Sequence, residues 1–416
     1  MKFYIETYGC TANHGNSQDV ATLLQELGHK PSALNEADAV IVNTCIVTAK
    51  TQRKILHRLR QLEGKRLVVA GCMSAAIPQS IQSIECLEIP GLLDKAAAAT
   101  IASHFGAAAS SGNCETADLR QEPRSDLCAI VNIAEGCNGT CSYCIVRNAR
   151  GRLVSLDSDV VAKKVQSLAG QGNVELQLSA QDTAAYGLDR GTNLARLLER
   201  VANIPGNFML RVGMMNPDNV LLILDDLILA FDSPKIYRFL HLPLQSGSNE
   251  ILRSMGRRYS AQDFLEIANA FRGAFPDITI ITDVIAGYPG ETEENFLETL
   301  DIVKRLQPDK VNVTRFSSRP GTPASRLYDM PDRFKKDRSR EMTSVWLNIA
   351  AQRNKRYVGE VLSALVTEHG RGASMKARAP SYQGIVVQGN PLLGSFIKVK
   401  VTASNPFFLS GKIEPE

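Results

Sequence analysis

Three cysteines fall close together in a glycine-rich, polar stretch, "EGCNGTCSYCIVRNARG", residues 135–151. The spacing CxxxCxxC brings Cys137, Cys141 and Cys144 onto one tight loop, as the thiolate ligands of an iron–sulfur cluster require. A structural zinc site would take four protein ligands, and no histidine or fourth cysteine lies in this stretch. Cys128 is nearest, on a segment read as a strand, where its side chain would point into the core. Three ligands for a four-iron cluster leave one iron open, and an open coordination position is what a catalytic metal site keeps for its substrate. The triplet therefore reads as a cluster completed by a non-protein ligand.

A second cysteine trio is dispersed. Cys10, Cys45 and Cys72 each follow a strand-like run, "KFYIETYG", "AVIVN" and "RLVVAG", with helical patterns over 17–27 and 49–62 between them. The alternation predicts a parallel sheet with crossover helices. Ligand sites of open parallel sheets lie beyond the carboxyl ends of the strands, so the three can meet at one edge. Free cysteines are also common as small buried hydrophobes. The flanks "YGCTANHG", "NTCIVTAKTQ" and "AGCMSAA" are polar or small loop sequences, whereas a buried strand cysteine sits more often inside the apolar run.

The elements that position the triplet lie further on. From residue 128 the candidate strands are 129–134, 174–179, 208–212, 236–241, 278–284 and 310–315, separated by helical patterns. One spans 157–169, with Val160, Val161, Val165 and Leu168 on one face and Gly170 as its C-cap. Another spans 293–306 with Thr292 as its N-cap. Six such units predict an α/β partial barrel with function at the C-terminal ends of its strands. Residues 326–356 form a basic, helix-like stretch. Then "GEVLSALVTEHG", "GIVVQG", "GSFIKVKVTAS" and "FFLSGKI" suggest a small five-stranded barrel of the kind that often binds oligonucleotides. The expected division is 1–110, a linker over 111–127 containing Cys114, a central unit over 128–356, and 357–416.

The chain has 416 residues, 44% hydrophobic and 22% charged, in the range of ordinary globular proteins. No apolar run approaches the ~20 residues a membrane helix needs, so the protein is read as intracellular and cytoplasmic, with neither membrane nor DNA as a partner. Nine cysteines in a reducing compartment point to metal or redox chemistry rather than disulfides. A net charge of +4 is only mildly basic and predicts nothing about nucleic acid by itself.

The triplet, with Tyr143 before its last cysteine at the end of the first strand of a partial barrel, resembles the radical S-adenosylmethionine superfamily. The two trios together with "ARGRLVS", "SAQDTAAYG", "RVGMMNP", "HLPLQSGSNEILRSMGRRY", "TDVIAGYPGETEENF" and "VNVTRFSSRPGTPA" resemble the methylthiotransferase family, and the C-terminal strands resemble its RNA-binding TRAM module. The resemblance covers nearly the whole chain. The residues around the cysteines look most like the archaeal and eukaryotic branch acting on threonylcarbamoyladenosine beside the tRNA anticodon.

This resemblance implies two 4Fe-4S clusters. Cys137, Cys141 and Cys144 would hold the one whose open iron binds S-adenosylmethionine, which an electron then cleaves to a 5'-deoxyadenosyl radical. Cys10, Cys45 and Cys72 would hold an auxiliary cluster carrying the sulfur to be donated, methylated by a second S-adenosylmethionine. An electron donor and a sulfur donor are implied as further partners. By position, contacts to S-adenosylmethionine are expected from Tyr143, Gln181, Asp182, Arg211, His241, Gln245, Gly287 and Glu291. Several of these also have plainer readings: Gly287 as a turn former, Glu291 as a helix N-terminal charge, Gln181 and Asp182 as loop caps, and Arg211 as an ion-pair partner. RNA contacts are expected from Arg150, Arg152, Arg257, Arg258, the stretch from Arg333 to Arg340, Lys376, Arg378, Lys398 and Lys400. The alternatives are a methylthiotransferase acting on isopentenyladenosine in tRNA or on a ribosomal-protein aspartate, and a non-catalytic metal-cluster RNA-binding protein.

Overall fold

The computed structural model describes residues 1–105 and 127–414. The expected linker over 111–127, with Cys114, lies outside them apart from Leu127. Among the described residues no helix is long and apolar enough to cross a membrane.

The first unit is a five-stranded parallel sheet. Lys2–Thr7, Ala39–Thr44 and Arg66–Gly71 form its centre, flanked by two-residue edges at Lys30–Pro31 and Leu87–Glu88. The central strand Ala39–Thr44 is buried along its whole length, as a strand covered on both faces must be. The crossover helices are Thr11–Glu26 and Ala49–Gln61, the second capped by the Thr48 hydroxyl, which accepts from Thr51 N. The first helix starts well before the expected residue 17. Its opening turns carry the buried polar residues Asn13, Asn16 and Ser17, satisfied by tertiary hydrogen bonds rather than by an apolar stripe. Hydrophobic periodicity cannot register such a turn.

The central unit has six parallel strands in sequential order: Cys128–Asn132, Glu175–Ser179, Met209–Val212, Phe239–His241, Thr279–Ala286 and Lys310–Arg315. An isolated parallel bridge from Leu210 to Ile236 joins the two three-stranded halves. The helix Glu293–Leu306 is capped by Thr292 in a reciprocal box with Asn295, as the sequence leads one to expect. The helix Ser158–Gly170 departs in two details. Val161 and Val165 are buried, but Val160 is 53% exposed. The left-handed turn after the helix falls on Gly172 (φ +87°), with Gly170 still helical.

An open sheet leaves two edges, and a helix covers each. On the first strand, Ile130 N donates to Gln18 Oε1 at 3.0 Å, and Asn132 Nδ2 donates to Ala12 O at 3.1 Å, both on Thr11–Glu26. Gly15 permits that approach, since a Cβ there would lie 2.8 Å from Asn132. On the last strand, the helix Asp332–Lys355 packs with Trp346 Nε1 donating to Asp309 O at 3.2 Å.

Val361–His369, Ser374–Arg378, Gly384–Gln388, Phe396–Ser404 and Leu409–Ile413 close into a barrel. The strand Ser374–Arg378 is not recognisable from composition, because "SMKAR" has neither β-branched nor aromatic residues. This barrel docks on the N-terminal ends of the central strands. Arg378 Nε lies 3.1 Å from Glu175 Oε2, Gln383 Nε2 donates to Thr279 Oγ1 at 3.2 Å, and Arg238 N donates to Pro380 O at 2.8 Å.

Candidate active site at the domain interface

Cys137, Cys141 and Cys144 lie on the loop after the first central strand, at the C-terminal mouth of the sheet. Gly136 turns the chain into this loop at φ +75°, and a Cβ there would collide with the Arg152 carbonyl. Gly139 lies between two of the sulfurs. A Cβ there would stand 3.2 Å from Cys137 Sγ and 3.6 Å from Cys141 Sγ, and the bare backbone N donates to Cys137 Sγ at 3.1 Å. Burial pushes the Cys144 thiol up to about 11, with Val146 N opposing. A thiol so placed needs a cation or metal to become a thiolate.

The segment 254–257 clasps the loop. Ser142 N donates to Met255 O at 2.9 Å and Ser142 Oγ to Ser254 O at 2.9 Å; Tyr288 OH also donates to Ser254 O at 2.9 Å. Arg257 hydrogen-bonds to the Tyr143 hydroxyl and donates to Asn216 Oδ1 at 2.8 Å.

Cys10 caps the helix Thr11–Glu26, Cys45 follows Thr44 directly, and Cys72 follows Gly71, so all three sit at the carboxyl edge of the N-terminal sheet. Cys10 is exposed, while Cys45 and Cys72 are each 5% exposed. At Gly9 (φ +109°) a Cβ would stand 2.9 Å from Cys45 Sγ. Burial raises the Cys45 thiol to about 11; it also raises Cys72, where Arg150 opposes it. Asn13 organises the edge. Its amide donates to Tyr8 O at 2.7 Å and Thr44 O at 2.9 Å, and its Oδ1 lies 3.7 Å from Cys72 Sγ.

Arg150, expected on RNA, is 6% exposed and bonds to Asn13, Asn16 and Glu135 beside Cys72. It comes from the short helix Val146–Arg150, just after Cys144, and reaches the other trio, so it joins the two sites. A cavity of about 90 Å³ lies alongside, lined by Val47 and Thr48 just after Cys45 and by Tyr143, Cys144, Arg315 and Ser317. Among the described residues no three His, Cys, Asp or Glu side chains gather tightly enough to close on a single metal ion. Two sets of three thiols suit a larger cluster better than mononuclear zinc.

The residues expected to touch S-adenosylmethionine divide. Gln181 has both side-chain polar atoms enclosed with no protein partner, at the end of the second strand. An orphaned amide of this kind fits a polar ligand at the mouth. His241 Nε2 pairs with Asp283 Oδ2 at 2.9 Å, and Asn312 Nδ2 donates to Asp283 Oδ1 at 2.8 Å. Gln245 holds a left-handed backbone, φ +65°, beside Asp283.

Four others are committed elsewhere. Asp182 accepts from Asn216 N at 2.9 Å, Asn216 Nδ2 at 2.9 Å, Asn219 Nδ2 at 2.6 Å and Ala184 N at 3.1 Å, which fills its acceptor sites. Arg211 takes no place at the mouth: its Nη1 donates to Gln177 Oε1 at 3.2 Å, and the guanidinium lies over Phe239 and over Tyr382 of the C-terminal barrel. Glu291 pairs with Arg338 at 2.7 Å and accepts from Gly287 N at 2.8 Å. Gly287 is needed by packing, since a Cβ would stand 2.5 Å from Lys335 Cγ.

The basic residues divide as well. Arg152, Arg258, Lys376, Lys398 and Lys400 are exposed, with Arg258 paired to Asp218 and Lys376 to Glu368. Arg333, Lys336 and Arg340 are exposed on the long helix, whereas Lys335 and Arg338 turn inward. Arg257 and Arg378 are bound up in tertiary contacts and are not free for phosphates. Sequence reasoning missed both Asn13 and Arg319. The polar run "TANHGN" inside a helix was the one available signal for Asn13.

The uncharacterized protein family UPF0004 matches residues 2–88, the Radical SAM superfamily matches 131–303 and the TRAM domain matches 355–413. Among solved structures, the radical S-adenosylmethionine methyltransferase TsrM from Kitasatospora setae shares the fold, with TM-score 0.54 and 17% identity over 78% of this chain and 76% of that one. The human "Threonylcarbamoyladenosine tRNA methylthiotransferase" is 32% identical over 99% of this chain and 74% of its own length. The Archaeoglobus fulgidus "Probable threonylcarbamoyladenosine tRNA methylthiotransferase" is 40% identical over 100% of this chain and 99% of its own. Likeness at that level over the full length of both chains, with both trios at sheet edges that face one interface, places this chain in the threonylcarbamoyladenosine tRNA methylthiotransferase family.

Proposed function

We propose that this protein inserts a methylthio group at C2 of N6-threonylcarbamoyladenosine beside the anticodon of tRNA, in the cytoplasm. Its working units are residues 1–110, 128–356 and 357–416. Cys137, Cys141 and Cys144 would hold one 4Fe-4S cluster, and Cys10, Cys45 and Cys72 a second. When bound, the first cluster and S-adenosylmethionine supply one-electron chemistry, which an adenine C2–H needs because it is neither acidic nor open to a nucleophile. A second S-adenosylmethionine, an electron donor and a sulfur donor complete the requirements.

The chain's own residues would bind and orient. Gln181 would donate to and accept from S-adenosylmethionine, satisfying its enclosed amide. Tyr143, fixed by Arg257, would define the wall of the base site. Docking of the N-terminal sheet over the mouth, secured by Arg150 and Asn13, would keep water from the space between the trios. Lys376, Lys398, Lys400 and Arg371 on the C-terminal barrel would hold RNA backbone; Lys376 and Arg371 line a cavity of about 510 Å³ there with Phe408.

The observation that carries this reading is Arg150, which starts beside one trio and ends on the other. The test is mass spectrometry of nucleosides from total tRNA with and without the gene. Loss of the 2-methylthio form with accumulation of its unmethylthiolated parent supports it; unchanged tRNA nucleosides refute it.

A further inference from the structure

Arg319 lies in the turn after the last central strand and is 3% exposed. Its Nη2 donates to Gln52 Oε1 at 2.6 Å, and its Nε is enclosed with no partner. Gln52 is neutral; burial disfavours the charged guanidinium, and among the described residues the one ionisable group that opposes this is Cys45, whose own thiol burial keeps protonated until something stabilises its thiolate. The turn is tied to the segment that follows Cys45 by a second contact, Ala49 N donating to Ser317 Oγ at 3.1 Å.

A guanidinium stays protonated in a protein, so it cannot escape burial by losing its charge. Enclosing it without an anion is strongly unfavourable. Arg150, beside Cys72 of the same trio, has Glu135 for a partner. Two fixed cations therefore flank Cys10, Cys45 and Cys72 with one carboxylate between them. An RNA phosphate cannot balance the surplus, because Arg319 is sealed from the surface. What is left is the trio itself, once its thiols have become thiolates around iron.

We propose that Arg319 is the countercharge of the iron–sulfur cluster held by Cys10, Cys45 and Cys72, extended to it across the domain boundary, and that it raises that cluster's reduction potential. The inference rests on the two-cluster reading above. A cation beside a cluster favours the reduced, more negative state, so hydrogen-bonding and charged neighbours set where the cluster is reduced. Arg319 is in this sense a positioning residue, acting on the potential rather than on substrate.

The test uses the full chain with Cys137, Cys141 and Cys144 changed to alanine, reconstituted anaerobically with iron and sulfide, and a redox titration followed by electron paramagnetic resonance. Arg319→Gln is expected to move the midpoint to more negative potential, and Arg319→Lys to leave it near the parent value. If Arg319→Gln fails to load iron while Arg319→Lys loads it, charge is again the requirement. An unmoved midpoint in Arg319→Gln with the cluster intact overturns the proposal, as do equal shifts or equal failures to load in both variants. Absence of iron from the parent protein overturns the two-cluster reading along with it. In the companion protein, with Cys10, Cys45 and Cys72 changed to alanine, Arg319→Gln should leave the remaining midpoint in place; a shift there also counts against the proposal.

Discussion

Arg338 Nη1 donates to Glu291 Oε2 across 2.7 Å, and both side chains are withdrawn from solvent. The pair joins the long basic helix to the turn after the fifth central strand, where Glu291 also receives Gly287 N. Burial raises the Glu291 carboxyl, and the Gly287 amide and Arg338 oppose it. Removing one member strands the other. Arg338→Met should therefore lower stability by about 3 kcal/mol, the order found when one partner of a buried pair is lost. Denaturant unfolding measures this, and affinity for S-adenosylmethionine in the folded protein should stay unchanged.

Gln181→Ala and Asp182→Asn should separate ligand contact from loop architecture. The first removes an amide that has no protein partner, so folding should be unaffected while S-adenosylmethionine binding weakens about tenfold, the value of one hydrogen bond of ~1.4 kcal/mol. The second disturbs an acceptor holding Asn216 and Asn219, so melting temperature should fall first. Equilibrium dialysis and calorimetry on the reconstituted protein distinguish the two.

Gly136→Ala should empty one trio and spare the other. Its φ of +75° and the nearby Arg152 carbonyl leave no room for a methyl group, so the loop bearing Cys137, Cys141 and Cys144 must shift. Iron analysis should show loss from that trio, with the spectrum attributable to Cys10, Cys45 and Cys72 retained.

Lys398→Ala with Lys400→Ala should flatten the salt dependence of RNA binding. Both side chains are exposed on one barrel strand, and each phosphate left without its lysine reduces the slope of log K against log salt by about 0.9 for a duplex and less for single strands. Arg378→Met should leave the slope alone and loosen the barrel instead, since Arg378 pairs with Glu175 and Glu368. Filter binding across a salt series, with a melting curve for each variant, checks both halves.

Local features of the chain are legible in the sequence. Thr292 as a cap, the strand Lys310–Arg315 and the placement of all six cysteines beyond strand ends follow from periodicity and short-range chemistry. Arg150, Arg257 and Arg378 read as surface charges because a guanidinium in a polar sequence context resembles every other one. The partners of the first two, Asn13 and Tyr143, lie 137 and 114 residues away in sequence, and Glu175 lies farther still from Arg378. Pairings of that range leave no period in the chain. Glu291 is misread for the same reason: what decides its role is a helix that begins at Asp332.

The C-terminal barrel grips the central sheet at the ends where its strands begin, while the cysteines stand where they finish. A five-residue strand spans about 17 Å, so grip and chemistry are held apart by at least that length of protein. On the proposed function, an RNA held by the barrel would have to bend around the flank of the sheet before one of its bases could meet the cysteines. On that reading the scaffold would work as a caliper: a few nucleotides of loop would touch one jaw, and only a stem with its loop would reach both.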